Sequence, residues 1–212
     1  MRFLRRMLPV AALVATALLY GGKYNSIVEM GMKAPEFRNL PGIDGKTYSL
    51  SDFKENVVVL VFLANHCPWV QGGEKDLMQL ANDYKSKSVR VIGLGVNLRQ
   101  DDALPAMKEH AAKAGYNFIY LHDPTQQVGR QYGATRTPEF FVLNKERKIV
   151  YTGLLTNSPA LMERGGSARH VNGPPKEFHV RDAIEAALAG KPVAVTETRA
   201  QGCTVEYASN SK

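Results

Sequence analysis

Cys67 lies between two segments of different pattern, at a position where a thiol can act as a nucleophile. The apolar segment 57–64 before it is rich in β-branched residues and predicts a strand buried on both faces. After it, apolar residues at i, i+3, i+4 and i+7 over 77–84 predict a helix. Pro68 suits the first helical position, since an N–H is unpaired there in any case. Cys67 is therefore the expected N-cap, where free N–H groups and the helix dipole favour the thiolate. A buried structural cysteine remains the alternative.

Cys203 is the second of two cysteines and lies near the C-terminus. If Cys67 is oxidised to a sulfenic acid, another thiol must condense with it or over-oxidation follows. The segment from Gly190, where the last predicted helix ends, to Cys203 spans at most about 43–47 Å when extended. Cys203 can therefore resolve Cys67 in its own chain or in a homodimer. A structural disulfide that staples the tail, or simple apolar packing of Cys203, stay open as alternatives.

The N-terminus has the pattern of a targeting segment. Arg2, Arg5 and Arg6 precede an apolar stretch over residues 7–20, which is short for a membrane span. We expect residues 1–22 to be a signal peptide or, if uncleaved, a membrane anchor through residues 7–20. The rest of the chain is then exported to the periplasm or cell envelope.

Charge and composition argue for an ordinary globular domain after this leader. The chain is 44% apolar and 22% charged, which is typical of globular proteins. Its formal net charge of +7 falls to +4 without the three leader arginines, and the remaining charges of both signs are interspersed. No basic stripe with interleaved aromatic residues is visible, so a nucleic-acid partner is not expected.

Predicted strands and helices alternate along the chain. Strands are expected at 57–64, 89–96, 118–121, 140–143 and 149–151, and helices at 68–87, 101–114, 128–132 and 180–188. This order predicts an α/β fold with a central mixed sheet flanked by helices. The tight spacing of the last two strands makes them a hairpin.

Three further segments complete this prediction. Asp44-Gly45 marks a turn between short strands in an N-terminal β extension. Asp101 or Asp102 is expected to cap the second long helix. Residues 156–176 are rich in Gly, Ser, Asn and Pro and are expected to be an exposed loop insertion.

Several short motifs follow one another in a recognisable order. They are Ala34-Pro35-Glu36-Phe37, Gly45-Lys46 through Leu50-Ser51-Asp52-Phe53, Cys67-Pro68 after the apolar strand, and Thr137-Pro138 before Phe140-Phe141-Val142. The chain thereby resembles the thioredoxin-like superfamily, within it the redoxin branch that includes alkyl hydroperoxide reductase and thiol-specific antioxidant proteins. Asn65-His66-Cys67-Pro68 and Gly202-Cys203-Thr204-Val205 resemble a subgroup with a C-terminal cysteine. The resemblance implies a thioredoxin-like (redoxin) domain over 30–190 and a tail over 191–212.

The chain departs from three motifs of related proteins, and each departure argues against one kind of reaction or site. Val70 stands where the second cysteine of a Cys-x-x-Cys motif would be, so exchange within the motif is impossible. Leu60 and Ala64 replace the Pro and Thr of the peroxiredoxin motif, which places efficient peroxide reduction in doubt. Gln71 replaces the second cysteine of the copper-handling branch, so a matching copper site is not encoded.

The resemblance also implies roles for other residues. Thr137-Pro138 corresponds to a cis-proline loop next to the reactive cysteine. Arg136 then lies near Cys67, where it can stabilise a thiolate or sulfenate, or it is a solvated surface arginine. His66 can tune Cys67 electrostatically or point sideways into a loop network. Pro68 and Trp69 are expected beside the thiol, with Trp69 exposed as a partner-docking surface or packed on the helix.

These observations predict an exported thiol-dependent oxidoreductase with Cys67 as nucleophile and Cys203 as resolving cysteine. Its partners are expected to be protein thiols or disulfides, or a peroxide that is reduced slowly; the electron donor is not identified. No cofactor or metal is expected, since His170 and His179 lack a companion cluster. Two alternatives stay open: a non-catalytic redoxin-like binding module that uses loop 156–176, and a copper-handling protein that uses Cys67 and histidines.

Overall fold

The computed structural model describes residues 22–209 of the 212-residue chain. The predicted leader thus lies outside the described residues, apart from Gly22. Within the described part, no helix is both long enough and apolar enough to cross a membrane.

Eleven strands and four α-helices occur in the described chain. The strands are β1 Leu40–Pro41, β2 Thr47–Tyr48, β3 Val57–Leu63, β4 Val89–Gly95, β5 Ile119–His122, β6 Arg136–Thr137, β7 Glu139–Leu143, β8 Ile149–Gly153, β9 Ala160–Met162, β10 Ala168–His170 and β11 Cys203–Thr204. The helices are α1 Pro68–Tyr84, α2 Leu104–Ala114, α3 Gln127–Tyr132 and α4 His179–Leu188.

The central sheet has five strands in the order β5-β4-β3-β7-β8. Strand β3 pairs in parallel with β4 and antiparallel with β7, and β7 forms the expected hairpin with β8. The predicted mixed sheet is therefore confirmed. The short hairpin β1–β2 turns at Asp44-Gly45, where Gly45 takes a positive φ of 82°.

Strand β3 is buried along its whole length because both faces of the sheet are covered. Its odd-numbered residues face a core shared with α1, α2 and α4, whereas its even-numbered residues face a core shared with α3 and the segment 28–53. Successive side chains of a strand point to opposite faces, so a strand between two cores must be apolar throughout. This explains the unbroken apolar run that leads to Cys67.

The predicted aspartate cap of α2 is wrong. The N-cap is Ala103, and Asp101 and Asp102 belong to a 3-10 turn over Gln100–Asp102 that precedes the helix. The Asp102 side chain is buried. It accepts a hydrogen bond from the Asn65 N–H and lies beside the His66 ring, and both residues directly precede Cys67. A buried carboxylate needs hydrogen-bond donors, and these residues supply them.

The prediction that residues 156–176 form an exposed loop is also wrong in part. This segment contains the antiparallel hairpin β9–β10, which packs on α1. Gly72 of α1 allows the close approach, because a Cβ there would lie 2.6 Å from the backbone of Leu161 and Met162. Thr156 and Ser158 at the start of the segment are buried.

The C-terminal segment 191–209, called the tail below, lies along the domain in three places. It first pairs with β8, where the Thr152 N–H donates to the Thr196 carbonyl (3.0 Å) and the Thr198 N–H to the Thr152 carbonyl (3.0 Å). It next forms β11 beside β6. It finally reaches Gln126, whose side chain hydrogen-bonds the backbone of Glu206 and Ala208.

Candidate active site

Cys67 occupies the junction of β3 and α1. It is the N-cap of α1 and Pro68 is the first helical residue, as the sequence predicts. The Cys67 carbonyl accepts hydrogen bonds from the N–H groups of Val70 and Gln71, both at 3.0 Å. The Cys67 side chain is 0% exposed, so no external molecule reaches its sulfur in this conformation.

The Thr137–Pro138 segment packs directly on Cys67. Its peptide bond is cis, as the resemblance implies. The Cys67 thiol donates a hydrogen bond to the Thr137 carbonyl oxygen at 3.0 Å. Thr137 is itself 0% exposed, and its hydroxyl has no hydrogen-bond partner among residues 22–209. The predicted proximity of Cys67 to this loop is therefore found.

Cys203 lies next to the same loop. In the antiparallel pair of β11 with β6, Cys203 is opposite Thr137 and Thr204 is opposite Arg136. Cys203 also packs against the core cluster that contains Cys67, and both cysteines are free thiols. The tail thus brings Cys203 to Cys67 of its own chain, one of the arrangements that the length of the segment allows.

The surroundings of Cys203 favour its protonated form. Burial raises the pKa of the Cys203 thiol to about 12, and the neighbouring Cys67 acts in the same direction. The backbone N–H of Trp69 and the positive charge of Arg136 oppose this rise. Cys203 is therefore a thiol at neutral pH.

Arg136 holds the tail in place. Its Nη1 donates to the hydroxyl of Thr204 at 2.6 Å and to the carbonyl of Gly202 at 3.4 Å. The residue is exposed, and its charge acts on Cys203. The hydrogen bonds of Arg136 thus go to the tail, while its predicted stabilisation of a Cys67 thiolate or sulfenate stays a prediction.

His66 lies in a network that is centred on Asp102. Its Nδ1 lies 2.6 Å from Asp102 Oδ2, while the N–H of Asn65 donates to Asp102 Oδ1 at 2.6 Å. Asp102 is 1% exposed, so both carboxylate oxygens are used within the protein. Sequence reasoning missed this role, since Asp102 lies 35 residues after Cys67 and its position before a helix is also typical of a cap.

The Asn65 side chain also holds the residues just before Cys67 in place. Its Nδ2 donates to the Asp101 carbonyl at 2.8 Å, and its Oδ1 accepts from the Tyr120 hydroxyl at 3.1 Å. The Gln71 side chain donates to the Asn65 carbonyl at 2.7 Å. Burial raises the pKa of Tyr120, which keeps its hydroxyl proton available for this bond. The residues before Cys67 are thus held by hydrogen bonds from three segments.

Glu139 fixes the loop before Pro138 and was also missed. Its carboxylate accepts from the N–H groups of Thr135 at 2.8 Å and Arg136 at 3.1 Å. Burial raises the pKa of Glu139, while these two N–H groups act against the rise. The only sequence signal was a glutamate at the start of an apolar strand.

Pro68 and Trp69 are the first two residues of α1 after Cys67. Pro68 is exposed, whereas Trp69 is half-buried and packs on the core, so its position is nearer to the packed alternative than to the exposed one. Trp69 and Pro138 line an apolar cleft between α1 and the segment 154–160. Partner binding by Pro68, Trp69 and His66 stays a prediction.

One cluster has the residue types of a metal site. His66, Asp101 and Asp102 each offer a ligand atom, and these atoms lie within 4.8 Å of one another. Asp101, however, already accepts two hydrogen bonds from Arg99, at 2.9 and 3.0 Å, and both oxygens of Asp102 are engaged. The cluster is therefore better described as a structural network than as a ligand set.

Comparison with known proteins places the chain in the thioredoxin-like superfamily. The sequence model of the redoxin family matches residues 29–165. Thiol-disulfide oxidoreductase ResA of Bacillus subtilis (strain 168) is 32% identical over 145 residues, which cover 66% of this chain and 75% of that protein.

Solved structures give a longer match. The structure of an uncharacterized conserved protein of Geobacillus kaustophilus has a TM-score of 0.76 and 31% identity, covering 87% of this chain and 95% of that one. A hypothetical protein of Sinorhizobium meliloti 1021 has a TM-score of 0.76 and 29% identity, covering 86% of this chain and 97% of that one. The structural likeness thus extends beyond the residues that the family model matches.

Proposed function

The chain belongs to the redoxin family, and we propose that it is a thiol–disulfide oxidoreductase whose Cys67 and Cys203 interconvert between two thiols and one disulfide. The observation that carries this proposal is that both cysteines meet at Thr137: Cys203 lies opposite Thr137 in the pair of β11 with β6, and the Cys67 thiol hydrogen-bonds the Thr137 carbonyl. The similarity to a thiol-disulfide oxidoreductase of Bacillus subtilis supports the same reaction class.

In this proposal Cys67 is the nucleophile and Cys203 is its resolving partner. Cys67 at the N-cap of α1 supplies the attacking sulfur. Val70 provides no second thiol in the helix, so the cysteine that completes the exchange comes from the tail. Closing the disulfide transfers two electrons from the two thiols to an oxidised partner, and opening it returns them from a reduced one.

The proposed partners are protein thiols or disulfides. Peroxide reduction is expected to be slow by comparison, because Ala64 supplies no hydroxyl to hold a peroxide. Ala64 is buried at the end of the apolar segment 57–64, three residues before Cys67. Its carbonyl accepts a hydrogen bond from the Cys67 N–H at 3.1 Å.

Export is part of the proposal and rests on the leader pattern. Arg2, Arg5 and Arg6 before the apolar stretch 7–20 are typical of an export signal. Cell fractionation of the tagged full-length chain tests this, and a cytosolic mature chain would contradict it.

Non-reducing peptide mapping tests the disulfide directly. The wild-type chain, Cys67→Ser and Cys203→Ser are oxidised with a mild disulfide reagent and digested without reductant. A peptide pair that joins Cys67 to Cys203 is expected in the wild type and in neither variant, and dithiothreitol should remove it. Turnover of a dithiol–disulfide couple should be lost in both variants. The proposal fails if the two cysteines stay separate or if Cys67→Ser retains turnover.

A further inference from the structure

A second cavity adjoins the apolar cleft at Trp69 and Pro138. Asp76 of α1 lines both of them, so the two are continuous. The second cavity has a volume of about 260 Å³, and its walls include His170 of β10 and Arg181 of α4. Sites for small-molecule ligands usually measure about 300–1,000 Å³. The size of this cavity therefore suits one long side chain of a partner better than a whole ligand.

The charged groups of this cavity leave one carboxylate available. Arg181 Nη2 lies 2.6 Å from Asp83 Oδ2, so the positive charge of Arg181 is countered within the protein. Among residues 22–209, His170 is the one basic residue within ion-pair distance of Asp76, with its Nε2 3.4 Å from Asp76 Oδ2. The Asp76 side chain is 42% exposed. A cation that enters the cavity can therefore reach this carboxylate.

The hydrogen bonds of His170 show that its pair with Asp76 lacks a donor. His170 Nδ1 lies 2.7 Å from the carbonyl oxygen of Ser158, and a carbonyl only accepts, so Nδ1 carries the proton. In the neutral ring, Nε2 is then an acceptor that faces the carboxylate of Asp76, a second acceptor. The ring itself supplies the missing donor only when it takes up a second proton. An ammonium or guanidinium group supplies N–H donors to both acceptors.

Phe178 gives the cavity an aromatic wall. Its side chain stays 43% exposed although it is large and apolar, and it lines the cavity together with Asp76. The face of an aromatic ring attracts a cation. Lysine and arginine also carry apolar stems that pack on apolar surface while the charged end is held elsewhere. An aromatic ring beside a carboxylate therefore suits these two side chains.

We propose that this cavity binds a lysine or arginine side chain of the partner protein, with the charge at Asp76 and His170 and the stem against Phe178. This inference rests on the proposed function, because it names a feature of the protein that exchanges disulfides with the chain. The cleft at Trp69 and Pro138 connects the cavity to the neighbourhood of the cysteines.

The position of Asp76 along α1 sets where the basic residue lies in the partner. Asp76 comes nine residues after Cys67, the N-cap of this helix. At a rise of about 1.5 Å per residue, the two are about 13–14 Å apart along the helix axis. An extended segment of a partner covers that distance in about four residues. The basic residue is therefore expected about four positions from the partner cysteine.

Disulfide exchange with designed peptides tests this inference. Each peptide consists of alanine and glycine around one cysteine, which is linked as a disulfide to thionitrobenzoate. Lysine, alanine or glutamate is placed four positions before or after that cysteine. A thiolate of the reduced full-length chain attacks the peptide sulfur and releases thionitrobenzoate, whose absorbance gives the second-order rate constant. For one of the two placements, the wild type should react about fivefold faster with the lysine peptide than with the glutamate peptide.

Two variants locate the source of this preference. In Asp76→Asn the ratio of the lysine rate to the glutamate rate should fall below about twofold, because the carboxylate that attracts the cation is removed. Glu109→Gln is the charge-matched control, since Glu109 is an exposed residue of α2 that does not line the cavity. This control should keep the wild-type ratio.

Three results would overturn the inference. They are a wild-type ratio near one for both placements, a ratio that Asp76→Asn leaves unchanged, and an equal fall of the ratio in Asp76→Asn and Glu109→Gln. The peptide mapping of the Cys67–Cys203 disulfide decides the proposed function separately. A chain that forms this disulfide but does not discriminate between the peptides refutes the present inference alone.

Discussion

The backbone of Gly202 lies so close to the carbonyl group of Thr137 that a Cβ at position 202 would overlap it. The tail can therefore pair with β6 only if residue 202 is glycine. We expect Gly202→Ala to weaken this pairing by about 1–3 kcal/mol, the usual range for an added methyl in a packed site. Since Cys67 is buried under the tail, iodoacetamide should then alkylate Cys67 roughly fivefold to a hundredfold faster.

Gly165→Ala is the matched control for that variant. A Cβ at Gly165 meets nothing within 4 Å, so the labelling rate of Cys67 should not change. Peptide mass spectrometry after timed labelling measures both variants. Equal labelling of Cys67 in Gly202→Ala and the wild type would show that the tail does not shield this cysteine.

Asp102→Asn should destabilise the fold through the loop before Cys67. The buried carboxylate accepts from the Asn65 N–H and lies 2.6 Å from His66 Nδ1, and an amide cannot accept at both positions. A buried donor left unpaired costs about 1–3 kcal/mol. Urea unfolding measures the loss.

Asp101→Asn provides the comparison, since Asp101 is exposed and pairs with exposed Arg99. Its effect on the free energy of unfolding should stay below about 0.5 kcal/mol. Similar losses in the two variants would rule out a special role for Asp102.

Glu139→Gln should change how stability depends on pH. Burial raises the pKa of Glu139 in the folded chain above its ordinary value of 4.5. Its contribution to the free energy of unfolding is therefore fully present below pH 4.5 and is lost as the pH rises through the folded pKa. Glutamine keeps an acceptor oxygen but does not ionise. The variant should gain stability relative to the wild type as the pH rises above 4.5. Urea titrations at several pH values measure this difference, and a constant difference would contradict the argument.

Gly72→Ala and Gly73→Ala should have opposite effects, although both residues lie in α1. A Cβ at Gly72 would lie 2.6 Å from the backbone of β9, so overpacking should cost about 1–3 kcal/mol. A Cβ at Gly73 meets nothing within 4 Å, and alanine should there stabilise the helix by about 0.5–1 kcal/mol. Thermal or urea unfolding of the two variants checks the signs. A neutral Gly72→Ala would show that the hairpin β9–β10 moves freely against α1.

The parts of the site that the sequence predicted correctly are those with a local signal. The apolar run of β3, the Cys67-Pro68 step and the start of α1 are contiguous, so their order determines their geometry. The placement of Thr137-Pro138 beside Cys67 came from a family resemblance, which carries long-range information that periodicity does not.

The parts that were missed depend on contacts between distant segments. Asp102 has a local pattern that equally suits a helix cap, and only the fold brings it to His66. The docked tail contains a single well-buried apolar residue, Val205, so no periodicity distinguishes it from a free polar segment. Strands β9 and β10 have three residues each, too few for an alternation to be recognised.

The outer strand β8 has a further consequence for the behaviour of the chain in solution. Segments from both ends of the described chain cover it: Gly31 and Met32 hydrogen-bond Ile149, and the tail residues Thr196 and Thr198 hydrogen-bond Thr152. An uncovered outer strand offers unpaired N–H and C=O groups that can template another chain. The tail that carries Cys203 therefore also guards against edge-to-edge aggregation. A chain shortened after α4 would be prone to self-association, whether or not its redox chemistry is needed.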